Sequence, residues 1–85
     1  MDKVKVGEVF HFFAKPSVAA IRVTDATVKA GDTLQFQGPS TNFDQKIESL
    51  EIDKVKVPEA KPGQSVGVQV RERVRPGDIV YKIVA

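Results

Sequence analysis

The sequence contains no cysteine and no tryptophan, and it has only one methionine and one histidine. Without cysteine there is no disulfide, no thiolate metal site and no thiol nucleophile, which agrees with a reducing compartment. The single histidine, His11, has no partner at a spacing that forms a metal-binding set or a catalytic triad. These absences remove most of the side-chain sets that carry enzymatic chemistry.

Long hydrophobic runs are also missing. Residues 1–5 lack the apolar stretch of a signal peptide, and no later run approaches membrane-spanning length. We therefore expect no membrane partner and a cytoplasmic location. Thirteen Lys and Arg against eleven Asp and Glu leave a net charge of +2, too little to indicate a nucleic-acid-binding protein by charge alone. The length predicts one small domain over residues 1–85.

A phosphate-binding loop is absent as well. No stretch reads Gly-x-x-x-x-Gly-Lys followed by Ser or Thr, so the chain has no P-loop to wrap the phosphates of a nucleotide. No carboxylate pair, nucleophile–base pair or metal-ligand cluster stands out from the sequence. We expect that the chain is not an enzyme, that it does not hydrolyse GTP, and that it holds no cofactor, metal or nucleotide.

What the sequence does contain is one turn signature used three times, at residues 30–34, 62–66 and 76–80. In each copy a Gly preceded by Ala or Pro is followed by a short polar residue and an apolar strand. Pro sets the φ angle that a turn needs, and Gly supplies a positive φ at the next position. We expect the carboxylates of Asp32 and Asp78 to accept hydrogen bonds from nearby backbone N–H groups. Three such strand-starters predict an all-β domain.

The segments between these turns alternate apolar and polar residues, and none has sustained helical periodicity. In residues 33–37 we expect Leu34 and Phe36 to point inward, and Gly7 interrupts the first strand in the manner of a bulge or a tight bend. We predict a small closed barrel of six to seven mostly antiparallel strands, because closure removes exposed strand edges. The predicted strands cover residues 3–13, 18–24, 27–29, 33–37, 46–53, 55–57, 66–71 and 79–84, with a polar loop over 38–45.

The chain resembles the second domain of translational GTPases such as elongation factor Tu. The resemblance lies in ESLEI at 48–52 and in PEAKPGQSVGV at 58–68. In that family a strand with an apolar-Glu-apolar step precedes an acidic-Ala/Gly-basic-x-Gly turn and a Val-Gly-apolar strand. Residues 6–9, 30–34 and 75–80 follow in the family's order, so the resemblance covers nearly the whole chain and implies a barrel of the translation-protein type.

The loop at 38–45 is more similar to two subgroups: small free-standing elongation-factor-like proteins, and a barrel at the C-terminus of peptidase-like enzymes that act in tRNA hydroxylation. The resemblance implies a non-catalytic binding module that contacts tRNA, ribosomal RNA or a translation-linked protein. The alternatives are a protein-interaction accessory that acts in trans with a peptidase-like tRNA-modifying enzyme, and a purely structural or oligomerising barrel.

Three arginines, Arg71, Arg73 and Arg75, are the first candidate contact. In an extended segment their period-two spacing places the guanidinium groups on one side, about 6–7 Å apart, which suits an RNA backbone. The alternative is a solvated strand end or loop with Glu72 interleaved.

The predicted loop supplies the second candidate contact. Phe43 could stack on a base or anchor a partner, with neighbouring polar groups reading base edges, or it could close the barrel end as a lid. We expect His11 to be partly exposed and Phe10, Phe12 and Phe13 to be core or sheet-face residues, although one exposed Phe could mark a docking surface. The candidate residues of this loop are Thr41, Asn42, Phe43, Asp44 and Gln45.

Overall fold

The structure of the protein is a computed structural model that describes residues 2–84. These residues form ten strands and no helix, and therefore no helix that could cross a membrane. The strands are β1 (Asp2–Phe13), β2 (Val18–Val23), β3 (Val28–Lys29), β4 (Thr33–Gly38), β5 (Thr41–Lys46), β6 (Leu50–Ile52), β7 (Val55–Val57), β8 (Glu59–Ala60), β9 (Ser65–Gln69) and β10 (Ile79–Val84).

Eight of the strands form one antiparallel sheet in the order β5-β4-β10-β1-β2-β9-β6-β7, and β3 pairs with β8 beside it. The sheet curves around a single hydrophobic core, so the prediction of a small antiparallel all-β fold of barrel type is confirmed. The number of strands exceeds the predicted six to seven, because very short pairs such as β3 with β8 form their own ladder. Within residues 2–84 strand pairing does not join the two ends of the sheet, β5 and β7.

The core is built from the inward side of every long strand. Leu34 and Phe36 are fully buried, as the alternation in β4 predicts. Val66 and Val68 are buried in the same alternating way in β9. Its largest fully buried side chains are Phe36, Ile21, Leu34, Ile47, Leu50, Val6, Val9, Val23, Val28, Val68, Val74 and Val80. Branched aliphatic residues of this kind suit a pleated surface, because their stiff side chains pack well between neighbouring strands.

Strand β1 is long enough to pair with β10 along one part and with β2 along another. Its register shifts against β10 between Lys5 and Gly7, so the bend predicted at Gly7 is confirmed. A Cβ on Gly7 would overlap the carbonyl oxygen of Arg22 and lie 2.9 Å from the carbonyl carbon of that residue. Only glycine permits this approach of two backbones. A second shift, against β2, spans Val9 to His11 and encloses Phe10.

The three repeated turns share one geometry. Their glycines, Gly31, Gly63 and Gly77, have φ angles of 97°, 95° and 97°, the positive values that the signature predicts. In each turn the residue after the glycine donates its N–H to the carbonyl three residues earlier at 3.0 Å. The side chains of Asp32 and Asp78 accept the N–H of that earlier residue at 2.8 Å, as expected.

Each turn is also joined to a distant strand or strand end. The N–H groups of Gly31, Gly63 and Gly77 donate to the carbonyls of Ile47, Val23 and Val9 at 2.7, 2.8 and 2.8 Å. In the second turn Gln64 replaces the aspartate, and its Oε1 accepts the N–H of Lys61 at 2.8 Å. The signature therefore starts strands and also fixes the turns against the body of the barrel.

Candidate interaction surfaces

The segment predicted as a polar loop is strand β5, so that prediction is wrong. Thr41 and Phe43 face the core, while Asn42 and Asp44 are exposed on the other side. Phe43 is only 6% exposed and stacks on Phe36 with ring centroids 5.0 Å apart. Its ring is therefore committed to the core. This corrects the hypothesis that Phe43 stacks on a nucleic-acid base, because a ring buried inside the barrel cannot meet one.

Gln45 bridges the open side of the barrel with its side chain. Its Nε2 donates to the carbonyl of Gln69 at 2.8 Å, and its Oε1 accepts the backbone N–H of Arg71 at 2.8 Å. One side-chain amide thus donates and accepts as a backbone peptide group does between paired strands. We call this junction between β5 and residues 69–71 the β5 seam.

Arg71 reinforces the β5 seam from its other side. Its Nη2 donates to the carbonyl of Asp44 at 2.7 Å, and its guanidinium carbon lies 5.7 Å from the centroid of the Phe43 ring. Its Nε lies 3.8 Å from a carboxylate oxygen of Glu72. The structure therefore brings together two regions that the sequence suggested separately, the arginine cluster and the segment 41–45.

The three arginines do not lie on a strand. Strand β9 ends at Gln69 and the chain bends at residues 71–72, so the extended geometry that would align the guanidinium groups is wrong. Val70 and Val74 are buried and hold the loop against the core, while Arg71, Arg73 and Arg75 are exposed. Within residues 2–84 no hydrogen bond or ion pair involves the guanidinium of Arg73 or Arg75. The alternative from the sequence, a solvated loop with Glu72 between the arginines, describes residues 71–75 better.

A shallow polar pocket of about 350 Å³ opens at the β5 seam. Lys46 and Arg71 contribute positive charge to its lining and Glu48 contributes negative charge, with amide groups from Gln45 and Gln69 between them. These three charged groups leave one net positive charge in the lining. The pocket suits a polar contact.

A larger and more apolar depression, which we call the outer cleft, lies on the exposed face of β1, β2, β9 and β6. Its volume is about 760 Å³. Phe10 and Phe13 line it although their side chains are 41% and 48% exposed, and Val18 lies beside them. Ala20 and Gly67 are neighbours across β2 and β9 and leave the floor low.

Charged groups line the side of the outer cleft near β6, across the sheet from the aromatic rings of β1. Glu51 on β6 pairs with Gly67 of the floor, and Asp53 and Lys54 form the tight turn from β6 to β7. Asp53 and Lys54 have φ angles of 53° and 65°, in the left-handed region. Two consecutive residues without glycine in this region are uncommon and strained.

His11 lies next to this surface and is exposed, as expected from the sequence. Its ring meets that of Phe13 edge-on at 4.4 Å between centroids. Sequence reasoning noted that an exposed Phe could mark a docking surface but did not identify the cleft. The signal that could have revealed it is the pair of small residues, Ala20 and Gly67, on the outward side of two strands flanked by aromatics.

Among residues 2–84 no three His, Asp or Glu side chains come together in a way that could hold a metal ion. The buried polar residues are Thr41 and Asp78, and the carboxylate of Asp78 accepts the N–H of Arg75 within its turn.

The described residues define a small all-β domain. No family model matches the chain. Its fold closely matches the C-terminal domain of a Geobacillus thermoleovorans protein assigned to the U32 peptidases. The TM-score is 0.86, with 93% of this chain and 91% of that domain covered at 24% sequence identity.

Curated proteins with similar sequences come from two groups. The chain is 31% identical to part of a collagenase from Porphyromonas gingivalis and 38% identical to part of an uncharacterised protease from Methanocaldococcus jannaschii. It is 32% identical to part of elongation factor 1-alpha from Pyrobaculum arsenaticum. The matches cover 93–95% of this chain but only 19–20% of these proteins. The chain thus spans about a fifth of the length of the curated relatives it matches.

Proposed function

We propose that this protein is a non-catalytic accessory barrel that acts together with a peptidase-like enzyme. The observation that carries the proposal is the two-way match to a C-terminal domain: nearly all of this chain corresponds to nearly all of that domain. The similar segments of the collagenase and of the protease are also about a fifth of each protein. In this proposal the chemistry belongs to a separate partner that corresponds to the other four fifths of those relatives.

The surfaces of the barrel support a binding role. The exposed aromatic rings of the outer cleft would be unfavourable in water unless they serve an interaction, since contiguous apolar patches on small proteins commonly mark contact sites. The described residues hold no metal cluster. We propose further that the partner belongs to the tRNA-modifying peptidase-like class that the sequence resemblance implies.

Affinity capture from a lysate of the source organism tests this proposal. The tagged protein is used with and without ribonuclease treatment, and bound proteins are identified by mass spectrometry. We expect a stoichiometric peptidase-like protein that stays bound after ribonuclease treatment, because the contact is between proteins. Recovery of RNA alone, or of no stoichiometric protein, would count against the accessory role.

A second candidate function is contact with tRNA or ribosomal RNA, as in a translation factor. It is supported by the similarity to elongation factor 1-alpha and by the three exposed arginines at residues 71–75. The test is a titration with bulk tRNA at several salt concentrations, comparing a variant with Arg71, Arg73 and Arg75 changed to Ala with the unchanged protein. We expect the salt slope to fall by roughly 2 to 3 units if each arginine contacts one phosphate.

The control for that titration is a triple Ala variant of Lys54, Lys56 and Lys61, which lowers the net charge equally. Equal losses in both variants would indicate general electrostatic attraction and would remove the case for the arginines. If neither RNA nor a protein binds and light scattering finds a defined oligomer, a structural role is favoured. The single domain over residues 1–85 and the cytoplasmic location stay predictions.

A further inference from the structure

We propose that the outer cleft binds a lysine or arginine side chain presented by a segment of a partner protein. This inference rests on the proposed accessory role, because it names the chemistry by which the partner is held. It concerns a surface distinct from the arginine loop and the segment 41–45. The cleft has two chemically different ends, and a long cationic side chain matches both.

The apolar end suits the aliphatic stem of such a side chain. Phe10, Phe13 and Val18 line this end, and the low floor at Ala20 and Gly67 leaves room for a chain of methylene groups. Lysine and arginine bury their stems against apolar surface while the charged head stays in a polar place. Arg22 already places its guanidinium carbon 5.3 Å from the centroid of the Phe10 ring on this side of the barrel.

The polar end suits the charged head. Among the residues that line the cleft, Glu51 and Asp53 contribute two carboxylates and Lys54 contributes one ammonium group, which leaves one net negative charge at this end, while Arg22 adds a positive charge at the Phe10 end. A guanidinium or ammonium group can form charge-assisted hydrogen bonds with these carboxylates. A phosphate would meet repulsion from both of them. Charge complementarity therefore favours a basic protein segment over a nucleic acid at this surface.

Asp53 and Lys54 form the tight hairpin turn at the polar end of the cleft. Both residues hold left-handed φ angles in the two-residue turn between β6 and β7. Asparagine and glycine adopt that conformation more easily, so the residues present are not the ones that favour the turn itself. Asp53 and Glu51 both line the cleft.

The test uses the whole chain labelled with ¹⁵N and short capped peptides as probes. The probe is acetyl-Gly-Leu-Arg-Leu-Gly-amide, and the matched peptide carries Glu in place of Arg. Adenosine monophosphate serves as a nucleotide probe. Amide chemical shifts are followed through each titration, at low and at high salt.

We expect saturable shifts of the amides of Ala20, Glu51 and Gly67 with the arginine peptide and none with the glutamate peptide. Glu51→Gln should weaken binding by about fivefold, because one charge-assisted contact is lost. Glu48→Gln is the control, since Glu48 is an exposed carboxylate that lines the polar pocket of the β5 seam. Higher salt should also weaken binding of the arginine peptide, because salt screens the attraction between charges.

Three results would overturn the inference: no shifts with the arginine peptide, equal shifts with the glutamate peptide, or tighter binding of adenosine monophosphate in the cleft. Phe13→Ser then separates the inference from the accessory role. If this variant loses the peptide but captures the peptidase-like partner unchanged, the cleft is not the docking surface and the accessory role stands. If the unchanged protein binds the peptide but captures no partner, the accessory role fails and the ligand class of the cleft stands.

Discussion

Replacement of Gln45 by Ala should destabilise the barrel by about 1–3 kcal/mol. The change removes both hydrogen bonds of the β5 seam that pass through the side chain, each 2.8 Å long. A typical intramolecular hydrogen bond contributes about 0.5–1.5 kcal/mol to stability, so two such bonds give this range. Gln45 is half-buried, so water can partly replace its side chain as a hydrogen-bond partner of the Gln69 carbonyl and the Arg71 N–H.

The measurement is equilibrium unfolding in urea. For a small protein the slope of the free energy of unfolding is about 1–3 kcal/mol per molar urea. A loss near 2 kcal/mol lowers the midpoint by about 1–2 M when the slope lies at the low end of that range. Gln45→Glu should fall between Gln45→Ala and the unchanged protein, because the carboxylate still accepts the N–H of Arg71 but cannot donate to Gln69.

Gln37→Ala is the matched control, because Gln37 is an exposed glutamine on the adjacent strand β4. Its only side-chain hydrogen bond within residues 2–84 comes from Lys3 at 3.2 Å, and an exposed contact of this kind contributes less than about 0.5 kcal/mol. Equal midpoints for Gln45→Ala and Gln37→Ala would refute the reasoning. In that case the seam would not hold the barrel, and Gln45 would be free to serve as a binding residue.

Three other changes test the backbone of the barrel by urea or thermal unfolding. Gly7→Ala should destabilise by about 3 kcal/mol or more, because its Cβ meets backbone atoms that cannot move aside; an unchanged melting temperature would contradict this. The double change Asp53→Asn with Lys54→Gly should raise stability by about 1 kcal/mol by relieving two left-handed residues, and a loss would show that their side chains stabilise the turn. Asp78→Ala should cost about 1–3 kcal/mol and exceed Asp32→Ala, since Asp78 is 2% exposed and Asp32 is half-buried; the reverse order would be inconsistent with burial as the cause.

The polar loop predicted over residues 38–45 proved to contain strand β5, and the sequence missed this strand for a physical reason. In the segment 41–46 only Phe43 is a large apolar residue, so alternation of apolar and polar residues is not visible. Thr41 and Phe43 nevertheless face inward, because β4 offers a complete ladder of partners and Phe36 offers a ring to stack on. Tertiary pairing thus overrides weak local preference.

The candidate sites show the same limit. The Gln45 side chain meets the backbone of Arg71 across 26 positions of the chain, and the outer cleft collects residues from β1, β2, β6 and β9. Spacing in the sequence cannot report contacts of this kind, because the register of each strand pair is set by bulges and turns elsewhere. The resemblance to translation factors indicated the class of fold and was silent about both surfaces.

By itself the sequence determined the turns, the all-β class and the inward face of β4 and β9. These features depend on neighbouring residues: glycine adopts positive φ, the following side chain accepts a nearby N–H, and alternation matches the pleat. The tertiary structure alone decided where the barrel stays open, how the Gln45 side chain bridges β5 to residues 69–71, and which aromatic rings remain exposed. Those outcomes depend on which strands become neighbours, and that is a property of the whole chain.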